Sequence, residues 1–215
     1  MNLKTETVTA MNSPLQSSSA LDEETARAEI YGLLALLYYQ VPAPDLLAQL
    51  RVAVTDAPVG GSFLEEPWRQ VVKAAREATD EHIADEFNAL FGGVGKPEIY
   101  LYASHYVSGF LNDKPVVRLR EDLSALGLAR DDSMSETEDH FACLCEVMRY
   151  LIAGDDVTVS NLTNQRAFFA THVQAWAHHM TDAVAKHPRA QFFARLADFT
   201  QAFLAIEAQG FDLLT

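Results

Sequence analysis

No apolar run in the sequence approaches the length that spans a bilayer, and residues 1–20, polar and rich in Ser and Thr, lack the hydrophobic core of a secretory signal. These absences predict a protein made and kept in the cytoplasm, with no stable membrane insertion. Basic residues are also scarce: 16 Lys and Arg against 30 Asp and Glu leave a net charge of −14. A field of that sign repels nucleic acid and anionic lipid and attracts basic partners, so nucleic acid is the poorest partner class. The plainer use of such a surface is solubility. Cysteine is nearly missing. Cys143 and Cys145 are spaced i, i+2 on an expected helix, where side chains project about 200° apart, a poor arrangement for a mutual disulfide or a shared metal. Small buried thiols in a reducing compartment fit better. Strand-like alternation and repeats of fixed period are absent too.

What remains is helical. With 215 residues, 49% of them hydrophobic, the chain can bury a full core in one domain. Residues 1–21 read as a disordered tail, low in hydrophobicity and without period. From Asp22 onward the pattern predicts an all-α domain, 22–215, of about eight to ten helices. In DEETARAEIYGLLALLYYQ, acids suit a helix N-terminus and Ala26, Ile30, Leu33, Leu34 and Leu37 form the inward stripe, with Tyr31 and Tyr38 on its flank. Pro42 and Pro44 end that helix, and DLLAQLRVAV supplies a short second one. The three- and four-residue spacing from Trp68 to Leu90 predicts one long helix or two broken near Thr79. VVRLREDLSALG predicts a helix with Leu119, Leu123 and Leu126 inward and Gly127 as its stop. Two more helices carry Phe169, Val173, Trp176 and Met180, then Phe192, Leu196, Phe199, Phe203 and Ile206, with KHPRA as the hinge.

Chemistry is harder to find. The stretch SETEDHFACLCEVMRYLI, Ser135 to Ile152, places Glu136, Glu138, Asp139 and His140 at the entry of an amphipathic helix. Ser135 and Glu138 fit the capping-box spacing. Asp139 and His140 fit a side-chain hydrogen bond that fixes the preceding loop, whereas a metal reading needs ligands from elsewhere, and a phosphohydrolase helix has His before Asp. On a continuous helix His172 and His179 share a face, roughly 10 Å apart, too far for one ion, and His178 projects elsewhere. FGGVGKPE lacks the phosphate-loop pattern and no strand precedes it. No nucleophile with its base stands out, so the residues alone point to no catalytic centre.

Taken in order, several segments resemble the TorD/DmsD family of redox-enzyme maturation chaperones. They are RAEIYGLLALLYYQVPAPDLLAQL, EFNALFGGVGKPEIYLYASHY, VVRLREDLSALGLARDDSMSETEDHFACLCEVMRYL, NQRAFFATHVQAWAHHM and QFFARLADFTQAFL. The ordered set LFGG, Y-x-S-x-Y and E-x-x-D-H opening a helix carries the resemblance. The chain departs from the family pattern at Glu136-Thr137, where an acid-Pro pair is usual, at Gly93-Val94, where Gly-Pro is usual, and at Ala103, where Glu is common.

The resemblance implies a non-enzymatic TorD-like chaperone without cofactor, catalytic residue or metal. Its partner would be the twin-arginine leader peptide and apoprotein of a molybdopterin enzyme, of formate dehydrogenase or dimethyl sulfoxide or trimethylamine N-oxide reductase type. It would hold the apoenzyme through cofactor insertion and delay export. Such a leader, basic and then apolar, calls for acids beside an apolar surface. The candidate contacts are Asp139 and His140, Glu136 and Glu138 for the arginines, Tyr102 and Ser104 from the Y-x-S stretch, and Trp68 and Phe91 for the apolar part. For Trp68 a core anchor is an equal expectation, and Asp139 can act by shaping the loop. The alternatives are a NarJ-like assembly factor for a cytoplasm-facing molybdoenzyme, and a helical metal-dependent hydrolase using Asp139, His140 and another histidine. No motif places guanine nucleotide. Short hinges allow a monomer or a domain-swapped dimer.

Overall fold

A computed structural model describes residues 23–55, 63–92, 96–111, 113–131 and 134–213. The N-terminal tail, nearly all of TDAPVGGS, and Gly93-Val94 with Gly95 lie outside the described residues. Among the described residues are ten α-helices, one π-helical segment and no strand, the all-α architecture expected. None of the helices among the described residues is long and apolar enough to cross a membrane. The helices gather into two compact units. One takes in Leu101–Trp176 together with the first helix, and the other takes in Gln40–Tyr100 and the residues from Ala177 on.

In the first unit, α1 (Glu23–Tyr39) opens with Glu23 and Glu24, whose charges complement the helix N-terminus. It packs along α7 (Phe141–Ala153), the most extensive helix pairing of this unit. Tyr31 and Tyr38 are fully buried there, not on the flank, while Ala26 and Ile30 are only half-buried. The edge of Tyr38 meets Phe141, ring centres 5.2 Å apart, so α7 covers the very face that a count of aliphatic residues leaves to the side. Cys143 and Cys145 are free and buried on α7, and burial raises both thiol pKa values, with nearby carboxylates adding to the effect.

Two short helices follow Leu101: α5 (Ala103–Ser108) and α6 (Lys114–Ala125), which pack on each other. The end of α6 is a complete Schellman motif. Gly127, at φ +72°, donates to the Ser124 carbonyl at 3.0 Å, and Leu128 donates to that of Leu123 at 2.8 Å. Leu119 and Leu123 are buried as expected; Leu128, beyond the glycine, takes the inward place expected of Leu126.

The Trp176 region departs from a continuous helix. It consists of α8 (Leu162–Phe168), a π-helical segment over Phe169–Gln174, and α9 (Ala177–Ala185). The Trp176 indole donates to the His172 carbonyl at 2.7 Å, a side chain entering the backbone ladder where it widens. Phe169, Val173, Trp176 and Met180 are all buried, so spacing alone does not reveal the interruption.

In the second unit, α2 (Pro44–Val52) packs on α3 (Glu65–Glu77), and α4 (Asp80–Leu90) follows after a break with Thr79 as its N-cap, its hydroxyl accepting the His82 amide at 3.2 Å. Arg51 holds this corner, donating to the carbonyls of Ala75 and Ala78 and pairing with Asp80. The last helix, α10 (Phe192–Asp212), packs on α3, α4 and α9. Its first amides have no side-chain cap of their own. Instead the buried carboxylate of Glu86 on α4 accepts from Gln191, Phe192 and Phe193 at 2.8, 3.1 and 2.8 Å.

Candidate functional site

The two motif segments of the first unit meet. The strand-like residues before α5 and before α7 form one isolated antiparallel bridge, Tyr102 with His140. Ala103 donates to the Asp139 carbonyl at 3.0 Å and Phe141 to that of Leu101 at 2.7 Å. Tyr102, Ser104, Glu136, Glu138, Asp139 and His140 are thus brought into one place, although more than thirty residues separate the segments.

Each acid of the entry turn already has a partner. Asp139 is 1% exposed; one carboxylate oxygen accepts the Ser104 amide at 2.9 Å and the other the Thr137 hydroxyl at 2.6 Å. This is the loop-shaping role. The Tyr102 hydroxyl donates to Glu136, and burial together with that carboxylate raises the phenol pKa. Arg120 on α6 forks onto Glu138 with two hydrogen bonds of 3.0 Å. Burial pulls the Glu138 pKa upward, but the Arg120 bonds and charge outweigh it and hold the acid below its usual range. Arg130 donates to the carbonyls of Met134 and Glu136 at 2.8 and 3.1 Å and so braces the loop from within.

The capping box does not form. The helix starts later than its spacing suggests, at Phe141, with His140 as N-cap: its Nδ1 accepts the Ala142 amide at 3.2 Å. Ser135 instead donates to Glu136 at 3.2 Å, and Glu138 faces Arg120. A glutamate engaged by a guanidinium from another helix is held away from the capping position. His140 is buried edge-on to Tyr102 and Tyr39, at ring separations of 5.0 and 6.1 Å. Burial lowers its pKa to about 4, with Glu136 and Asp139 opposing part of the shift, so the imidazole is neutral at pH 7 and the proton resides on Nε2.

Trp68 and Phe91 belong to the second unit. Trp68, half-buried, packs against Phe199 with ring centres 5.5 Å apart and donates its indole N–H to the Val54 carbonyl at 2.9 Å. Phe91 meets Phe87 and Phe193 edge-on, at 5.2 Å each. The histidines also part: His172 is buried in the first unit, its Nε2 2.7 Å from Asp122, whereas His178 and His179 are exposed on α9 of the second. Among the described residues no three His, Cys, Asp or Glu side chains are placed to hold a metal ion, and the hydrolase reading finds no donor set there. Sequence reasoning missed Arg120 and Arg130. The Arg120 carboxylate partner lies eighteen residues away, and the groups that Arg130 reaches, four and six residues on, are backbone carbonyls that no side-chain pattern marks.

Comparison with known proteins gives a consistent picture. The family described as nitrate reductase delta subunit matches residues 62–182, more than half of the chain and inclusive of the whole bridged site. The chain is 28% identical over 178 residues to the chaperone protein TorD of Vibrio cholerae serotype O1 (strain M66-2), an alignment covering 75% of this chain and 80% of that protein. It is 24% identical over 224 residues to the chaperone protein TorD of Colwellia psychrerythraea (strain 34H), covering 87% and 92% respectively.

Proposed function

The chain belongs to the nitrate reductase delta subunit family, among its TorD/DmsD members, and from that premise we propose that it is a molybdoenzyme maturation chaperone that reads a twin-arginine leader peptide. In this role it holds the apo form of a molybdopterin oxidoreductase in the cytoplasm, assists cofactor insertion and releases the client for export. It performs no catalysis. Formate dehydrogenases and dimethyl sulfoxide or trimethylamine N-oxide reductases are the client types that suit the resemblance.

The observation that carries this reading is the joining of the Y-x-S and E-x-x-D-H segments at the Tyr102–His140 bridge. A guanidinium already sits on Glu138, so the loop has the geometry that binds an arginine side chain. Glu136 and Glu138 are the acids offered to the leader's arginines. Asp139 and His140 set the loop's shape from below, and Ser104 supplies the amide that Asp139 grips. The excess of acids over bases draws a basic leader in and discourages anionic competitors.

The test is calorimetric titration of the full chain with twin-arginine leader peptides of molybdoenzymes from the same organism, each beside a version with both arginines replaced by alanine. Micromolar or tighter binding that depends on the arginines is expected. Indifference to the arginines defeats the reading. The description of the matching family favours one second reading, a NarJ-like assembly factor for an enzyme that faces the cytoplasm. Binding of mature enzyme without any leader affinity would select it.

A further inference from the structure

Four apolar side chains stand in solvent at one corner of the first unit: Val107 is 56% exposed, Phe110 74%, Leu111 45% and Val117 55%. They follow one another closely. Val107 ends α5, Phe110 and Leu111 lie in the connection, and Val117 is in the first turn of α6. At the end of α5, Gly109 stands at φ +80° and the Ser108 hydroxyl donates to the Ser104 carbonyl at 2.8 Å and is 3.2 Å from that of Phe110. Isolated exposed hydrophobes need no explanation, but a group of them on adjoining elements marks a surface that something covers.

The same two helices hold the acidic loop. α5 springs from Tyr102, which bonds Glu136, and its six residues rise only about 9 Å, so the loop and the corner are close neighbours along it. On α6, Arg120 follows Val117 by three residues and shares its face. Arg120 is half exposed, at 56%, while the Glu138 carboxylate beneath it is only 12% exposed. Because Arg120 reaches Glu138 from the solvent side, an incoming guanidinium can take over the same two hydrogen bonds.

We propose that the α5–α6 corner is the docking face for the apolar stretch of a basic-then-apolar peptide, with one of the peptide's arginines replacing Arg120 on Glu138. The inference rests on the leader-reading role above. Charge decides the occupant: a second copy of a chain at −14 would bring its own acids to an acidic loop, whereas a peptide whose basic residues precede an apolar run matches both halves of the surface. The apolar contact accordingly belongs to Val107, Phe110, Leu111 and Val117 in place of Trp68 and Phe91, which have packing partners of their own.

The experiment titrates the full chain with a synthetic leader carrying two adjacent arginines and an apolar run, beside an arginine-to-alanine version and one with the run replaced by Gly and Ser. Three proteins are compared: wild type, Phe110→Ser with Val117→Ser, and Arg120→Gln. All substitutions are at exposed positions, and circular dichroism checks that the helices persist. The double variant is expected to lose roughly tenfold in affinity for the full leader and nothing for the version without the apolar run. Arg120→Gln is expected to bind the full leader severalfold more tightly. Arginine-dependent binding by wild type that ignores the double substitution, or that weakens in Arg120→Gln, overturns the docking face alone. No arginine-dependent binding by wild type removes the leader-reading role and the inference with it. A wild-type dimer that the double substitution converts to monomer makes the second copy the occupant and also overturns the proposal.

Discussion

Asp139 grips the backbone of Ser104: a carboxylate oxygen 2.9 Å from the Ser104 amide joins the loop before α7 to the start of α5, thirty-five residues away in sequence, and the side chain is almost completely buried. Its removal leaves an amide and the Thr137 hydroxyl without their acceptor. Asp139→Ala is expected to lower unfolding free energy by about 2 kcal/mol, read from urea midpoints at constant slope, and Asp139→Asn by less. An alanine variant as stable as wild type would show that the carboxylate does not hold the loops together.

His140 makes the fold sensitive to acid. In the unfolded chain the imidazole titrates near its ordinary value, while in the fold burial depresses it to about 4, with Glu136 and Asp139 opposing part of the shift. Between those values the unfolded state binds the extra proton, so stability falls as pH falls through the window from about 6.5 down to 4 and is unaffected by this group above it. Between pH 7 and pH 5 this group is expected to cost about 2 kcal/mol of stability. His140→Asn keeps a side-chain acceptor for the Ala142 amide but does not titrate, and denaturation curves at the two pH values should differ less for it than for wild type. An equal loss in the variant would place the acid sensitivity elsewhere.

Glu86 substitutes for a local cap on α10. Three amides depend on its carboxylate, so Glu86→Ala is expected to lower the thermal midpoint markedly, equivalent to about 2–3 kcal/mol, and Glu86→Gln, which keeps one acceptor oxygen, by a smaller amount. A change below about 0.5 kcal/mol in Glu86→Ala would mean that water caps those amides equally well.

Gly154 is required by space and not by dihedral angle. It closes α7 in extended backbone at φ −73°, but a Cβ there would collide with the Ser160 hydroxyl and lie 2.7 Å from the Tyr150 carbonyl, a backbone atom that cannot swing away. Gly154→Ala is expected to destabilise by about 1–3 kcal/mol. Ser160→Ala in the same background removes one of the two obstacles, and recovery of part of the loss identifies the collision as the cause.

Much of the helical framework was legible because its signals are local. Thr79 and its acids mark the start of α4, Gly127 closes α6, and the prolines at 42 and 44 separate α1 from α2. What escaped needed partners from afar. Tyr31 and Tyr38 count as borderline on any hydrophobic scale, and only the pairing of α1 with α7 places them at the centre. Ser135 and Glu138 satisfy a local capping pattern, yet Arg120 on another helix outcompetes it, and the cap passes to His140. The π-helical segment leaves no trace because Phe169, Val173 and Trp176 remain buried with or without it. At the site itself, the order of motifs indicated the segments, and the bridge between Tyr102 and His140 showed how they combine. The partners that neutralise the acids were invisible until the loops were folded.

The two cysteines of α7 give the protein a chemical clock of its own. Both thiols are sealed inside and resist ionisation, so an alkylating reagent at neutral pH meets neither a thiolate nor a path to the sulfur. Labelling therefore proceeds from molecules in which the packing over one face of α7 or the other has opened. Its rate, followed against denaturant by mass, counts those openings directly and separates local fraying from global unfolding without any engineered probe.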